Sequence, residues 1–220
     1  MDRVFLPLFL DMKNRACLLV GSGEELVRKG QILLSAGANL KLIAPRETPG
    51  LWPSQLQDRI HWLSETFEPQ HLVGIWLVVS THSSHPINLG IRQEAEARGI
   101  FVNVVDQPDY CSAIWPALIF RPPVTVAIST GGTGPALSGW LKQKIARELP
   151  ENLEEMASWF SQWRQMIAPK LKNLEERGHF WRHLFSQGLL DRFARGDRSG
   201  ADEMIRQAVI VRKKNDSMPV

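Results

Sequence analysis

The chain has 220 residues, of which 44% are hydrophobic and 22% charged, a balance that excludes a disordered or fibrous chain. Its formal net charge of +3 favours an anionic ligand without implying nucleic acid. No stretch is long and apolar enough to span a bilayer, so neither a membrane nor a nucleic-acid partner is expected, and a cytoplasmic location is.

Taken in chain order, residues 4–10 (VFLPLFL) are apolar but too short for a membrane span, and they lead into Asp11 rather than a small-residue cleavage site. With Pro7 inside, the run reads as an edge strand. Residues 17–30 (CLLVGSGEELVRKG) hold a buried strand, a glycine turn and the start of a charged helix. Cys17 lies in that strand and reads as a core thiol; Cys111, the second cysteine, is far away in sequence. A strand that turns sharply into a helix leaves free N–H groups at the positive end of the helix dipole, a seat for phosphate. Gly21 permits the tight turn and Gly23 lets a pyrophosphate approach the backbone, but Leu26 stands where the third glycine of G-x-G-x-x-G is wanted.

The helix should run over 24–36 and stop at Gly37. A second strand follows at 39–44, cut off by Pro45, and completes a βαβ unit. Residues 47–57 read as a loop or irregular helix, 60–63 as a strand, 69–73 as a short helix and 75–79 (IWLVV) as a buried strand. The polar loop 80–85 (STHSSH) lies at that strand's carboxyl end, where ligands of open α/β sheets bind. A helix over 86–98 and a strand over 100–105 complete a doubly wound parallel sheet. Beyond Asp106 the pattern changes. Strands are expected at 117–120 and 124–129, a second glycine turn at 130–135, and then only helices, over 135–149, 151–167, 169–188 and 201–211, with a frayed tail at 213–220.

Three separated motifs stand in one order: GSGEELVRKG at 21–30, NVVDQPDY at 103–110 and STGGTGPAL at 129–137. Together they resemble the sirohaem synthase amino-terminal family, precorrin-2 dehydrogenases of which some are also sirohydrochlorin ferrochelatases, found alone or fused to a methyltransferase. The Arg28-Lys29 pair, the strand end 103–106 and Ser129-Thr130-Gly131-Gly132 carry the likeness. It implies a Rossmann-like NAD-binding domain over 1–113, a dimerisation segment over 114–149 and a small all-α C-terminal domain over 150–220, active as a homodimer. The implied reaction is NAD-dependent oxidation of precorrin-2 to sirohydrochlorin, with iron insertion in some members. Without the methyltransferase region, the stand-alone form is expected.

By resemblance Asp106 is the catalytic residue. A carboxylate at the carboxyl edge of a buried strand is poorly explained by packing, and there it can accept a proton as hydride leaves the macrocycle, or take pyrrole protons as a metal enters. An aspartate before Gln107-Pro108 also starts turns in any protein. Cofactor contacts are implied at Gly21, Ser22, Gly23, Glu24 and Glu25, through backbone with the acidic side chains turned outward, and at Pro45, Arg46, Thr81, His82 and Asn103. No acid stands at the end of the second strand. Glu47 is the nearest one, and Arg46 can instead accept a 2′-phosphate, so the residues leave NAD and NADP open; the resemblance favours NAD. Asn103 orients a ligand amide or satisfies backbone. His82 and His85 lack the companions of a closed metal site, and no resident metal is expected.

The turn Ser129, Thr130, Gly131 and Gly132 is implied to hold carboxylates of the tetrapyrrole substrate; a turn and helix cap explains it equally well. Gly134 and Gly139 depart from the serine and arginine of the family pattern. Those departures motivate a competing reading, a carrier or sensor that binds dinucleotide or tetrapyrrole without turnover, and the retained Asp106 opposes it.

Overall fold

A computed structural model describes residues 4–48, 52–131 and 134–216. The first half alternates β1 (Ala16–Val20), α1 (Glu24–Ser35), β2 (Asn39–Ile43), β3 (Ile60–Ser64), β4 (Ile75–Ser80), α2 (His85–Glu96) and β5 (Phe101–Val104). These strands form one sheet in the order β3-β2-β1-β4-β5, parallel at every pairing. Because a parallel sheet is covered on both faces, its strands β1 and β4 are near-continuous apolar runs, whereas β2 still carries Lys41. Leu18 and Leu19 point to opposite faces of β1. Leu19 packs with Leu26, Leu33 and Leu34 of α1, and Leu18 with Ile91 and Ala95 of α2. Full burial of one such leucine contributes roughly 1.5–3 kcal/mol, so both helices are held by the strand that ends in the glycine turn.

The third glycine of the fingerprint has a substitute one turn further on. Leu26 is buried in the core, whereas a Cβ at Gly30 would lie 2.0 Å from Cη2 of Trp52 and 2.8 Å from Leu19 Cδ1. Gly30 therefore lets Trp52, from the loop after β2, seat against α1.

The expected edge strand over residues 4–10 does not form; these residues carry no strand, and Leu6, Leu8 and Phe9 are exposed. A parallel strand needs a crossover of a dozen or more residues, and here only a turn separates the run from β1. In that turn Arg15 N donates to Met12 O at 3.0 Å and Lys13 N to Asp11 Oδ1 at 3.0 Å.

By Cα packing the chain divides into two compact units. The first joins Met1–Pro116 with Ser129–Gly134, and the second joins Ala117–Ile128 with Pro135–Val220. In the second, β6 (Ala117–Arg121) and β7 (Val124–Ile128) form an antiparallel hairpin, followed by α3 (Pro135–Glu148). The Arg121 guanidinium donates to Ala146 O, Leu149 O and Pro150 O at 3.1–3.3 Å, satisfying carbonyls that the helix end leaves free.

The remaining helices are α4 (Leu153–Ile167), α5 (Leu174–Ser186), α6 (Leu189–Ala194) and α7 (Arg198–Asp216). The helix expected over 169–188 is split. A 3₁₀ turn covers Ala168–Lys170, and α5 starts only after Asn173, whose Oδ1 accepts from Glu176 N at 2.9 Å. The sequence reading also lacks α6, a helix too short to show a period. It starts α7 three residues late, because Asp197 caps it by accepting from Gly200 N at 2.9 Å. The tail expected to fray is helical as far as Asp216, and 217–220 lie outside the described residues. Trp159, Ile167, Leu184, Leu189 and Phe193 build the core of this unit.

Candidate active site

In the sheet the chain order reverses between β1 and β4, and the crevice at such a switch point, beyond the strand carboxyl ends, is where ligands of open α/β sheets bind. Gly21 leaves β1 with φ 118°, its N–H donating to Ile43 O at 2.9 Å. A Cβ there would fall 2.6 Å from Oγ1 of Thr81 and 2.9 Å from His82 N, so only glycine lets the loop after β4 close on the turn. That closure is hydrogen-bonded: Thr81 N donates to Val20 O at 2.9 Å, and Thr81 Oγ1 to Ser22 O at 3.0 Å. Residues 21–23 and Thr81-His82 are thus brought together.

Gly23 begins α1 at φ 88°, with nothing within 4 Å of where a Cβ would stand, and its position carries no side-chain cap. Open space, uncapped N–H groups and the helix dipole coincide there, which fits a pyrophosphate. Glu24 and Glu25 occupy the first turn. Glu25 is turned back along the helix and accepts from Arg28 Nε and Nη2, both at 2.7 Å, with Lys29 Nζ 3.5 Å away. The Arg28 guanidinium holds the Glu25 carboxyl below its usual range. Lys29 is only 4% exposed, and its ammonium lies 4.3 Å from the centre of the Trp115 ring. Burial lowers its pKa, and Glu25 opposes that shift.

After β2, Pro45 and Arg46 are exposed at the sheet's carboxyl edge. After β5, Val105 N donates to Ser80 O at 2.9 Å, and Asp106 adopts a left-handed conformation at φ 58° with its side chain exposed. A non-glycine residue in this region is uncommon, and aspartate is among those that tolerate it. Cys111 ties the strand end from below: Val104 N donates to its Sγ at 3.2 Å, and Sγ donates to Val104 O at 3.3 Å. Asn103 is buried. Its Nδ2 donates to Ala113 O at 3.1 Å, and its Oδ1 has no hydrogen-bond partner.

A buried asparagine that the sequence reading overlooks joins these parts. Asn88 on α2 is fully buried and accepts from Ser80 Oγ at 2.7 Å. It donates to His82 O at 2.7 Å and to Gln107 Oε1 at 3.1 Å. Ser80 Oγ accepts in turn from His82 N at 3.2 Å. One side chain therefore spans the loop next to the glycine turn and the residue that follows Asp106. The signal was present in the sequence: Asn88, Ile91 and Ala95 share the buried stripe of α2, and a polar residue in such a stripe needs partners.

The segment Ser129–Gly134 packs with the first unit. Gly131 N donates to Ser129 Oγ at 3.2 Å, and Thr130 Oγ1 to Gly134 O at 3.4 Å; Gly132 lies outside the described residues. His85 heads α2, with Nδ1 3.4 Å from the Tyr110 hydroxyl. Among the described residues no group of three or more His, Cys, Asp or Glu side chains gathers.

Five parallel strands, a glycine turn into an uncapped helix and a loop locked against that turn define a dinucleotide-binding protein of the Rossmann type. Residues 8–117, half of the chain, match the family described as "Putative NAD(P)-binding". Residues 121–148 match the central region of sirohaem biosynthesis proteins, and residues 152–209 the sirohaem synthase dimerisation region. The chain belongs to this NAD(P)-binding family. Siroheme synthase 1 of Aeromonas salmonicida is 39% identical over 201 residues, 91% of this chain and 43% of that protein. The siroheme synthase of Photorhabdus laumondii is 36% identical over 203 residues, 92% and 43% respectively. The chain thus spans less than half the length of these curated relatives. The solved structure of SirC, a precorrin-2 dehydrogenase, superposes with a TM-score of 0.70 at 19% identity, over 93% of this chain and 98% of that one; it shares the fold.

Proposed function

We propose that the chain oxidises precorrin-2 to sirohydrochlorin with NAD as oxidant, as a step of sirohaem synthesis. The observation that carries this reading is Asp106, an exposed carboxylate held in a left-handed turn at the same sheet edge as the glycine turn. The residues of 21–23 and the first N–H groups of α1 would hold the pyrophosphate. NAD, when bound, supplies the hydride acceptor. The oxidation removes a hydride and a proton from the macrocycle, and Asp106 accepts the proton. Val105 and Gln107, each hydrogen-bonded to the β4–α2 region, keep that carboxylate in place. Substrate carboxylates would be met by the Ser129 hydroxyl proton, and by the Thr130 hydroxyl and Gly131 N–H once these exchange their bonds within the turn for the ligand.

The proposed organisation is a dinucleotide-binding domain over 1–113, a dimerisation segment over 114–149 and a helical domain over 150–220. Pairing of two copies is supported by the match of 152–209, which lies in the helical domain and not in the 114–149 segment, to a dimerisation region, and by the exposed Phe120, Leu137 and Trp140 of that segment. A cytoplasmic location belongs to the same reading; no helix among the described residues is long and apolar enough to cross a membrane.

The test is incubation of the protein with precorrin-2 and NAD while NADH formation and the visible spectrum are followed. Equimolar NADH and sirohydrochlorin are expected. Tight binding of tetrapyrrole with no NADH formed would overturn the reading in favour of a carrier.

A further inference from the structure

In Rossmann domains an acid at the carboxyl end of the second strand receives the adenosine ribose hydroxyls, or an arginine nearby receives a 2′-phosphate. Here β2 runs out into Ala44-Pro45-Arg46, with no acid. The neighbouring strand brings one. Ala44 N donates to Ser64 O at 3.0 Å, pinning the end of β3 beside that of β2, and Glu65 follows at once. Its Oε1 lies 3.3 Å from Arg46 Nε, with the two side chains 55% and 81% exposed. The Arg46 guanidinium is 5.4 Å from the centre of the Trp62 ring, and Trp62 Nε1 donates to Ala44 O at 2.9 Å. An exposed pair of this kind contributes little to folding. Both groups are free to turn onto a ligand.

We propose that Glu65, delivered by β3 instead of β2, is the ribose-binding acid of this chain, and that its pairing with Arg46 sets a preference for NAD over NADP. The inference rests on the NAD-dependent reading above. Ribose hydroxyls can donate to the Glu65 carboxylate. A 2′-phosphate meets the same carboxylate as a like charge, and Arg46 has its own charge already balanced by it. Trp62 backs the arginine with an aromatic face. Glu47, nearer in sequence, lies in the turn that Thr48 N closes on Pro45 O at 2.9 Å, on the far side of Arg46 along the chain from β2.

The experiment titrates NADH and NADPH separately onto the full chain, following the fluorescence of the bound nicotinamide. The wild type is expected to bind NADH more tightly. Glu65→Gln should weaken NADH binding about tenfold, the loss of a hydrogen bond to a charged acceptor, and tighten NADPH binding as Arg46 is released. Adding Arg46→Gln to that variant should abolish the NADPH gain, and Glu47→Gln should leave both affinities alone. An unchanged NADH-to-NADPH ratio in Glu65→Gln, a wild type that prefers NADPH, or a ratio moved by Glu47→Gln instead would each overturn the assignment. A wild type that binds neither nucleotide would strike the NAD-dependent reading itself.

Discussion

Replacing Asn88 by alanine tests whether the cofactor loop and the Asp106 turn are held by one buried side chain. Asn88 makes three hydrogen bonds of 2.7–3.1 Å, and Ser80 beside it is equally buried. Truncation leaves the Ser80 hydroxyl proton and the His82 carbonyl without their partner, whereas Gln107, half-exposed, can turn to water. The fully buried Ser80 hydroxyl costs about 1–3 kcal/mol when left unsatisfied, and the half-buried His82 carbonyl costs less, since water can partly reach it. A loss of roughly 1–4 kcal/mol in unfolding free energy follows, a large part of what a domain typically has. Urea denaturation should show the midpoint falling with the slope unchanged. NADH affinity should fall as well, by about tenfold, because Thr81 and His82 lose the contact that sets them against Gly21. A variant with less than about 1 kcal/mol of destabilisation and unaltered NADH affinity would refute this linkage.

Asp106→Asn retains a residue tolerant of the left-handed turn while removing the proton acceptor, so turnover should drop about 10²–10⁴-fold with NADH binding preserved; full turnover would remove the proposed role. Gly30→Ala places a methyl 2.0 Å from the Trp52 ring, and the overpacking should destabilise by about 1–3 kcal/mol despite the better helix propensity of alanine, as thermal denaturation would reveal. Burial pushes the Cys17 thiol up from 9.0 to about 12. Its contribution to stability is therefore complete below pH 9 and is lost as pH rises through 12, since the unfolded chain ionises first. Cys17→Ala should flatten that alkaline decline, and in the native wild type Cys17 should resist thiol reagents until the chain unfolds.

Legibility differed from element to element for physical reasons. The parallel strands were readable because burial on both faces demands unbroken apolar runs such as LLV and IWLVV, and glycines and prolines mark where they stop. The apolar run at 4–10 misled because hydropathy alone does not report whether a neighbouring strand is within reach of the chain. In the C-terminal half the positions of Pro169 and Gly188 suggested one long helix, but the break was decided by the local cap at Asn173. Leu26 looked like a defect in the glycine fingerprint until Gly30 was seen to make room for Trp52, a residue 22 positions further along the chain.

The sequence by itself determined the βαβ order, the glycine turn at 21–23, Asp106 at a strand end and the likeness of the three motifs to one family. These are matters of local spacing, written within a few residues of each other. Only the tertiary structure decided that Asn88 holds the Thr81–His82 loop and the Asp106 turn together, and that an acid missing from β2 is brought to its end by Glu65 from β3. Such contacts join residues far apart in the chain through the lateral order of the strands. That order follows from packing and hydrogen bonding across the whole sheet, and no local pattern encodes it.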